Sequence, residues 1–248
     1  MNMHTPDYFT RPDGLRLAYR KRDGAGPTIV FLPGYMSDMA GGKATALDTW
    51  SALQGRAMLR LDYAGCGLSD GAFTDGTLES WCDDALTLID ALTTGPIVIV
   101  GSSMGGWLAL LVALARPERV KAIVGVAAAP DFTQWGFTGE MLRVMQATGR
   151  LEQEGDYAEE PYVTTLAFWE SGQRQLLMGA EIPIDCPVRL LHGQRDPDVP
   201  WKIALRLAAA LRSSDVQTLM IKDGDHRLSR DADIALLIEA VATLPEIS

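Results

Sequence analysis

The chain has 248 residues, enough for a single α/β domain that can bury a large core without disulfide or metal support. Hydrophobic residues make up 47% and the formal net charge is −10; this acidic balance argues against nucleic acid as a partner and, more weakly, against standing attachment to an anionic membrane. No apolar run approaches membrane-spanning length, so no stable membrane insertion is expected.

In chain order, the first segment, Met1 to Asp7, lacks the basic-then-apolar pattern of a secretory signal, and cytoplasm is the expected compartment. Cys66, Cys82 and Cys186 are scattered without C-x-x-C spacing; they read as reduced thiols that pack as small hydrophobes. Strands are expected at 15–21, 28–32, 57–62, 97–101, 120–127, 187–192 and 216–221. Helices are expected at 40–53, 78–92, 104–115, 202–211 and 232–244. This alternation predicts an α/β fold whose mostly parallel sheet is covered by helices on both faces. The alternation breaks between 130 and 183, a stretch too long for a plain connection and too rich in aromatics for a linker. The expected organisation is therefore a core of 1–129 and 184–248 with a small cap inserted at 130–183. Phe132, Trp135, Phe137, Met141, Val144, Met145, Tyr162, Phe168 and Trp169 are the cap's apolar stock. Phe137, Met141 and Val144-Met145 are spaced for one helix face. The acidic run 152–160 reads as a solvated loop.

The chemistry centres on Gly101-Ser102-Ser103-Met104-Gly105, between an apolar strand and an apolar helix. A G-x-S-x-G pentapeptide in that setting forms a nucleophile elbow, a turn tight enough to push its central residue into strained angles. Its frame puts Ser103 at the apex. A serine hydroxyl needs a neighbouring base. Of the three histidines, His4 lies near a terminus expected to fray, and His192 ends a buried strand, where a structural role is expected. His226 follows the last strand in a polar loop, within reach of the sheet's carboxyl edge, and is the candidate base. The candidate acid is Asp196, in the loop after the strand at 187–192. Asp198 competes, although it also suits the N-cap of the following helix. The oxyanion donors are the amide of Met104, which follows the nucleophile, and that of Tyr35 in the Pro33-Gly34 loop, with Met36 as the alternative. No cofactor or metal is expected. Gly65-Cys66-Gly67-Leu68-Ser69 does not complete a dinucleotide fingerprint, and no His/Cys cluster has zinc spacing.

Ser103, Asp196 and His226, in that order, together with the Pro33-Gly34 loop, resemble the α/β-hydrolase superfamily. A narrower resemblance rests on Leu32 to Asp38, Asp62 to Gly71, Gly101 to Trp107, Ala115 to Glu118 and Arg189 to Gly193. These segments are similar to the acyl-protein thioesterase and acyl-glucuronide esterase branch, which includes mitochondrial depalmitoylating hydrolases. The resemblance implies an α/β-hydrolase fold and cleavage of a carboxylic ester or thioester through an acyl-serine. The implied substrate is a small-molecule or acylated-protein ester or thioester. It also implies that 65–69 is a tight loop beside the active site. Carbon–carbon bond hydrolysis, acyl transfer and simple ligand binding are alternative uses of the same scaffold.

Overall fold

The computed structural model describes residues 6–153 and 161–245. It begins with three strands, β1 (Asp7–Thr10), β2 (Arg16–Arg22) and β3 (Ala25–Leu32). After helix α1 (Gly42–Leu53) come β4 (Arg56–Leu61), α2 (Leu78–Leu92), β5 (Ile97–Ser102), α3 (Met104–Ala115) and β6 (Val120–Val126). An inserted group follows: α4 (Phe132–Trp135), α5 (Gly139–Thr148), β7 (Arg150–Gln153), β8 (Tyr162–Thr165) and α6 (Leu166–Arg174). The chain ends with β9 (Val188–Gly193), α7 (Lys202–Ala210), β10 (Val216–Ile221) and α8 (Asp231–Ala242).

Eight strands form one sheet in the order β1-β2-β4-β3-β5-β6-β9-β10. The β1–β2 and β2–β4 pairs are antiparallel and all the others are parallel. The central strands are apolar on both sides because both sides are covered, and their side chains alternate between two cores. Val30, Leu32, Ile97 and Ile99 face one core with α2, α3 and α7. Ile29, Phe31, Val98 and Val100 face the other with α1 and α8. Helix α3 is buried almost all round, because it is sandwiched between the sheet and α2, and Trp107 donates from its indole nitrogen to the Gln175 carbonyl at 3.2 Å.

The inserted group is tied down at both ends. Buried Asp131 accepts bonds from the amides of Leu177 and Met178 at 2.8 and 2.7 Å, clipping the entry of the insertion to its exit. Helix α6 is held to α2 through the Arg174–Glu79 pair and a Glu79 amide bond to Ser171 Oγ. Sequence expectation and structure differ in detail here. Phe137 lies ahead of α5, whose first turn is capped by Thr138 accepting from the Met141 amide at 3.3 Å; within α5 only Met145 is buried. Glu152 and Gln153 belong to strand β7 and not to a loop, paired with Val163 and Tyr162. The rest of that acidic run, 154–160, lies outside the described residues, as does His4. Strand β1 was not expected; its four residues pair antiparallel with β2 at the sheet edge.

At the crossing of β3, β5 and α3 the backbones pack in direct contact. A Cβ on Gly105 would sit 2.1 Å from the Leu32 carbonyl oxygen, and one on Gly101 2.2 Å from that of Gly105. Neither backbone can yield without displacing a central strand. Gly105→Ala is therefore expected to lower folding stability by about 3 kcal/mol, the upper range for overpacking, read as a drop in the urea midpoint; an unchanged midpoint would contradict this packing.

Candidate active site

Ser103 sits between β5 and α3 with φ 55° and ψ −119°. Such angles are strained for a residue with a side chain, and they aim that side chain out of the turn. The surrounding backbone holds it there. The Ser103 amide donates to the Val126 carbonyl at 2.9 Å, and its carbonyl accepts from Gly106 and Ala129 at 2.9 and 3.0 Å. Val126 ends β6 and Ala129 lies just after it, a segment that sequence reasoning did not connect with the elbow.

His226 and Asp196 come from the loops after β10 and β9. These loops are stitched together: the Gln194 amide donates to Ile221 and the Arg195 amide to Gly224, at 2.8 and 2.9 Å. His226 Nε2 lies 3.1 Å from Ser103 Oγ, and Nδ1 lies 2.8 Å from Asp196 Oδ2. A carboxylate can only accept, so Nδ1 carries the hydrogen and the Nε2 lone pair faces the serine O–H. The other Asp196 oxygen, Oδ1, accepts from the amides of Asp198 and Val199 at 2.9 and 2.8 Å. The Asp196 side chain is fully buried. That burial raises its pKa, but hydrogen bonds from His192 and His226 outweigh it and hold the carboxyl well below the usual range.

Of the two aspartates, Asp196 is the one whose carboxylate meets Nδ1. The expected capping role of Asp198 is corrected: Trp201 occupies the N-cap of α7 with no side-chain bond, and the Asp198 side chain lines the cavity. Asp196, Asp198 and His226 place possible metal-binding atoms within 4.8 Å of one another. The Asp196 oxygens and both His226 nitrogens are already engaged as described, which leaves that group poorly suited to a cation.

A cavity of about 460 Å³ opens over Ser103. Ser103, Met104, Tyr35, Met36 and His226 line its floor, and Phe132, Trp135, Phe137 and Tyr162 line the side formed by the insertion. The opposite side is polar and includes Ser37, Asp38, Lys43 and Arg227. Lys43 and Arg227 were not anticipated from the sequence, since nothing in the first turn of a helix marks a lysine as cavity-facing. Burial, with Arg227 acting in the same direction, pulls the Lys43 ammonium down to about 8.

The Tyr35 side chain points away from Ser103, into the insertion. Its hydroxyl donates to the Val163 carbonyl in β8 at 2.6 Å, and its ring packs against Phe73, Trp81, Phe132 and Phe168. The neighbouring Met36 takes φ 52°, a left-handed turn that reverses the chain beside the nucleophile. Met104 is the first residue of α3, so its N–H has no partner within the helix. The loop at 65–69 wraps around Asp62, which accepts from the amides of Leu68 and Met39 at 2.9 and 2.7 Å and so ties this loop to the segment after β3.

A parallel-centred sheet with a strained serine after its central strand, and with histidine and aspartate after its last two strands, describes a hydrolase of the α/β class. The α/β hydrolase fold model matches residues 27–144. The human mitochondrial palmitoyl-protein thioesterase ABHD10 is 40% identical over 241 residues, covering 96% of this chain and 79% of that protein. The structure of mouse ABHD10 superposes with a TM-score of 0.90 at 37% identity, covering 96% of each chain. A more distant structure, Est1E from Butyrivibrio proteoclasticus bound to ferulic acid, shares the fold with a TM-score of 0.79 at 22% identity over 95% of this chain and 96% of its own. The chain belongs to the α/β-hydrolase fold family, in the branch that contains ABHD10. No helix among the described residues is long and apolar enough to cross a membrane.

The depressed Asp196 pKa has a stability consequence. An aspartate held below its unfolded value of about 3.9 stabilises the fold above that pH, and the contribution is lost as pH falls through the folded value. Asp196→Ala also strands several buried donors, at about 1–3 kcal/mol. The stability gap between wild type and Asp196→Ala, measured by urea unfolding, should be constant above about pH 5 and narrow below about pH 4. A gap that widens with acid would contradict the depressed value.

Proposed function

We propose that this protein is a serine hydrolase that cleaves carboxylic esters or thioesters through an acyl-Ser103 intermediate. The observation that carries the proposal is the continuous relay Ser103 Oγ–His226 Nε2, His226 Nδ1–Asp196 Oδ2, at 3.1 and 2.8 Å. His226 takes the Ser103 proton as Oγ attacks the acyl carbon. The imidazolium that forms is stabilised by ionised Asp196 and returns its proton to an alcohol leaving group; a thiolate leaves with little help. Water, deprotonated by the same histidine, then attacks the acyl-serine and releases the acid. The amides of Met104 and Tyr35 are the proposed oxyanion donors, with Met36 the alternative to Tyr35. Residues 130–183 are read as a cap on a core of 1–129 and 184–248, and the cap's aromatic face is the proposed seat of the acyl group.

Thioesters are the favoured substrates because the 40% identical human relative is named a palmitoyl-protein thioesterase. The substrate is proposed to be a small-molecule or acylated-protein ester or thioester. Cys66, Cys82 and Cys186 form no disulfide, which suits a reducing compartment, and cytoplasm is our reading; the ABHD10 relatives, by contrast, are named as mitochondrial.

Purified wild type should hydrolyse members of a panel of p-nitrophenyl esters and acyl thioesters of graded chain length. Ser103→Ala should lose about 10⁴-fold or more in kcat while keeping its melting temperature. Undiminished hydrolysis by Ser103→Ala would remove Ser103 from the chemistry.

A further inference from the structure

His192 is the last residue but one of β9, and its ring is completely buried. Its Nε2 lies 3.0 Å from the Val199 carbonyl oxygen and 3.2 Å from Asp196 Oδ2. Both neighbours are acceptors, so Nε2 carries the hydrogen. The other ring nitrogen, Nδ1, is buried without a hydrogen-bond partner. An unmatched buried polar atom is unfavourable, and an apolar ring would have avoided it. Packing alone therefore does not call for an imidazole at this place. What the imidazole adds is one N–H, bonded to the Val199 carbonyl and close beside Asp196 Oδ2.

We infer that His192 is a positioning residue for Asp196, its Nε2–H fixing the rotation of the carboxylate so that Oδ2 faces His226. The inference rests on the triad proposed above. The carboxylate is gripped at both ends. Oδ1 takes two backbone amides, and Oδ2 lies between two imidazoles, one belonging to the base and the other immobile in the core. Without His192 the carboxylate can turn about its Cβ–Cγ bond, and its charge is no longer shared with a second donor. The orientation of His226 then becomes looser, because the oxygen that holds its Nδ1–H is no longer fixed. The charged groups on the same loop are Arg195 and Asp198, the latter within 4.8 Å of the Asp196 and His226 donor atoms; Asp225 and Arg227 flank His226 on its own loop. Substituting His192 leaves all four in place.

Wild type itself supplies the first test. With only three histidines in the chain, long-range 15N–1H spectra can be assigned by single substitutions. His192 should appear with hydrogen on Nε2 and a bare Nδ1; hydrogen on Nδ1 would overturn the inference. The second test pairs two amides. The side-chain nitrogen of His192→Gln reaches as far as Nε2, whereas that of His192→Asn stops short. His192→Gln should keep near-wild-type kcat. His192→Asn should lose about tenfold in kcat, the lower end of what outer hydrogen-bond partners of site residues contribute, with KM little changed. Rates are normalised to active sites titrated with a serine-reactive phosphonate. A purely structural residue would change melting temperature and active fraction but not kcat per site, and that result overturns the inference. Equal kcat in the Gln and Asn variants does so too. If Ser103→Ala is inactive and these tests fail, only the role of His192 falls; if Ser103→Ala stays active, the triad falls first.

Discussion

The backbone of Ser103 is the constraint on which the rest of the structure depends. A side-chain-bearing residue at φ 55°, ψ −119° is strained by about 1–3 kcal/mol, and nothing local relieves it. The relief is global. Strand β5 sits at the centre of the sheet, α3 is buried almost all round, and the end of β6 and the segment after it hydrogen-bond to the amide and the carbonyl of the turn. Gly105 then lets β3 and α3 close to within backbone contact, and Gly101 does the same for β5 and α3. Each of these features belongs to the core, so the proposed nucleophile is held by the same forces that hold the fold.

Around that point, the polar groups of the site are held more by backbone than by one another. Asp196 takes two amides on one oxygen, and Asp62 two amides from separate loops. Tyr35 is placed by an aromatic cluster and by a carbonyl of the insertion. The segment proposed to supply an oxyanion donor is therefore bonded directly to the insertion that walls the cavity. Changes in the insertion reach the floor of the site through Val163 and Tyr35, with no need for a long path.

The parallel core was legible in the sequence because each central strand is a short apolar run, and each such run feeds alternate residues to two covered faces. Ile97-Val98-Ile99-Val100 does this without a polar interruption. Strands β1, β7 and β8 were not legible, for the opposite reason. Arg150-Leu151-Glu152-Gln153 carries one apolar residue and becomes a strand only by pairing with Tyr162–Thr165. Ser103, Asp196 and His226 could be read as separate loop residues from their order after apolar strands. The contact of His192 with Asp196 could not be read. Four positions separate them, and whether those positions extend or curl back is decided by the amides of Asp198 and Val199. Nor could Lys43 and Arg227 be placed in the cavity, since a charged side chain on an exposed-looking segment gives no sign of which way it turns.

Strand β10 is the last strand of the sheet. It pairs with β9 alone, and none of its residues is fully buried. The loop that follows it carries His226. The serine thus follows a central strand and the histidine an edge strand. Fraying at that edge would separate base from nucleophile while the central strands stayed intact. Loss of the base by local opening at the edge is thus a different event from loss of the fold.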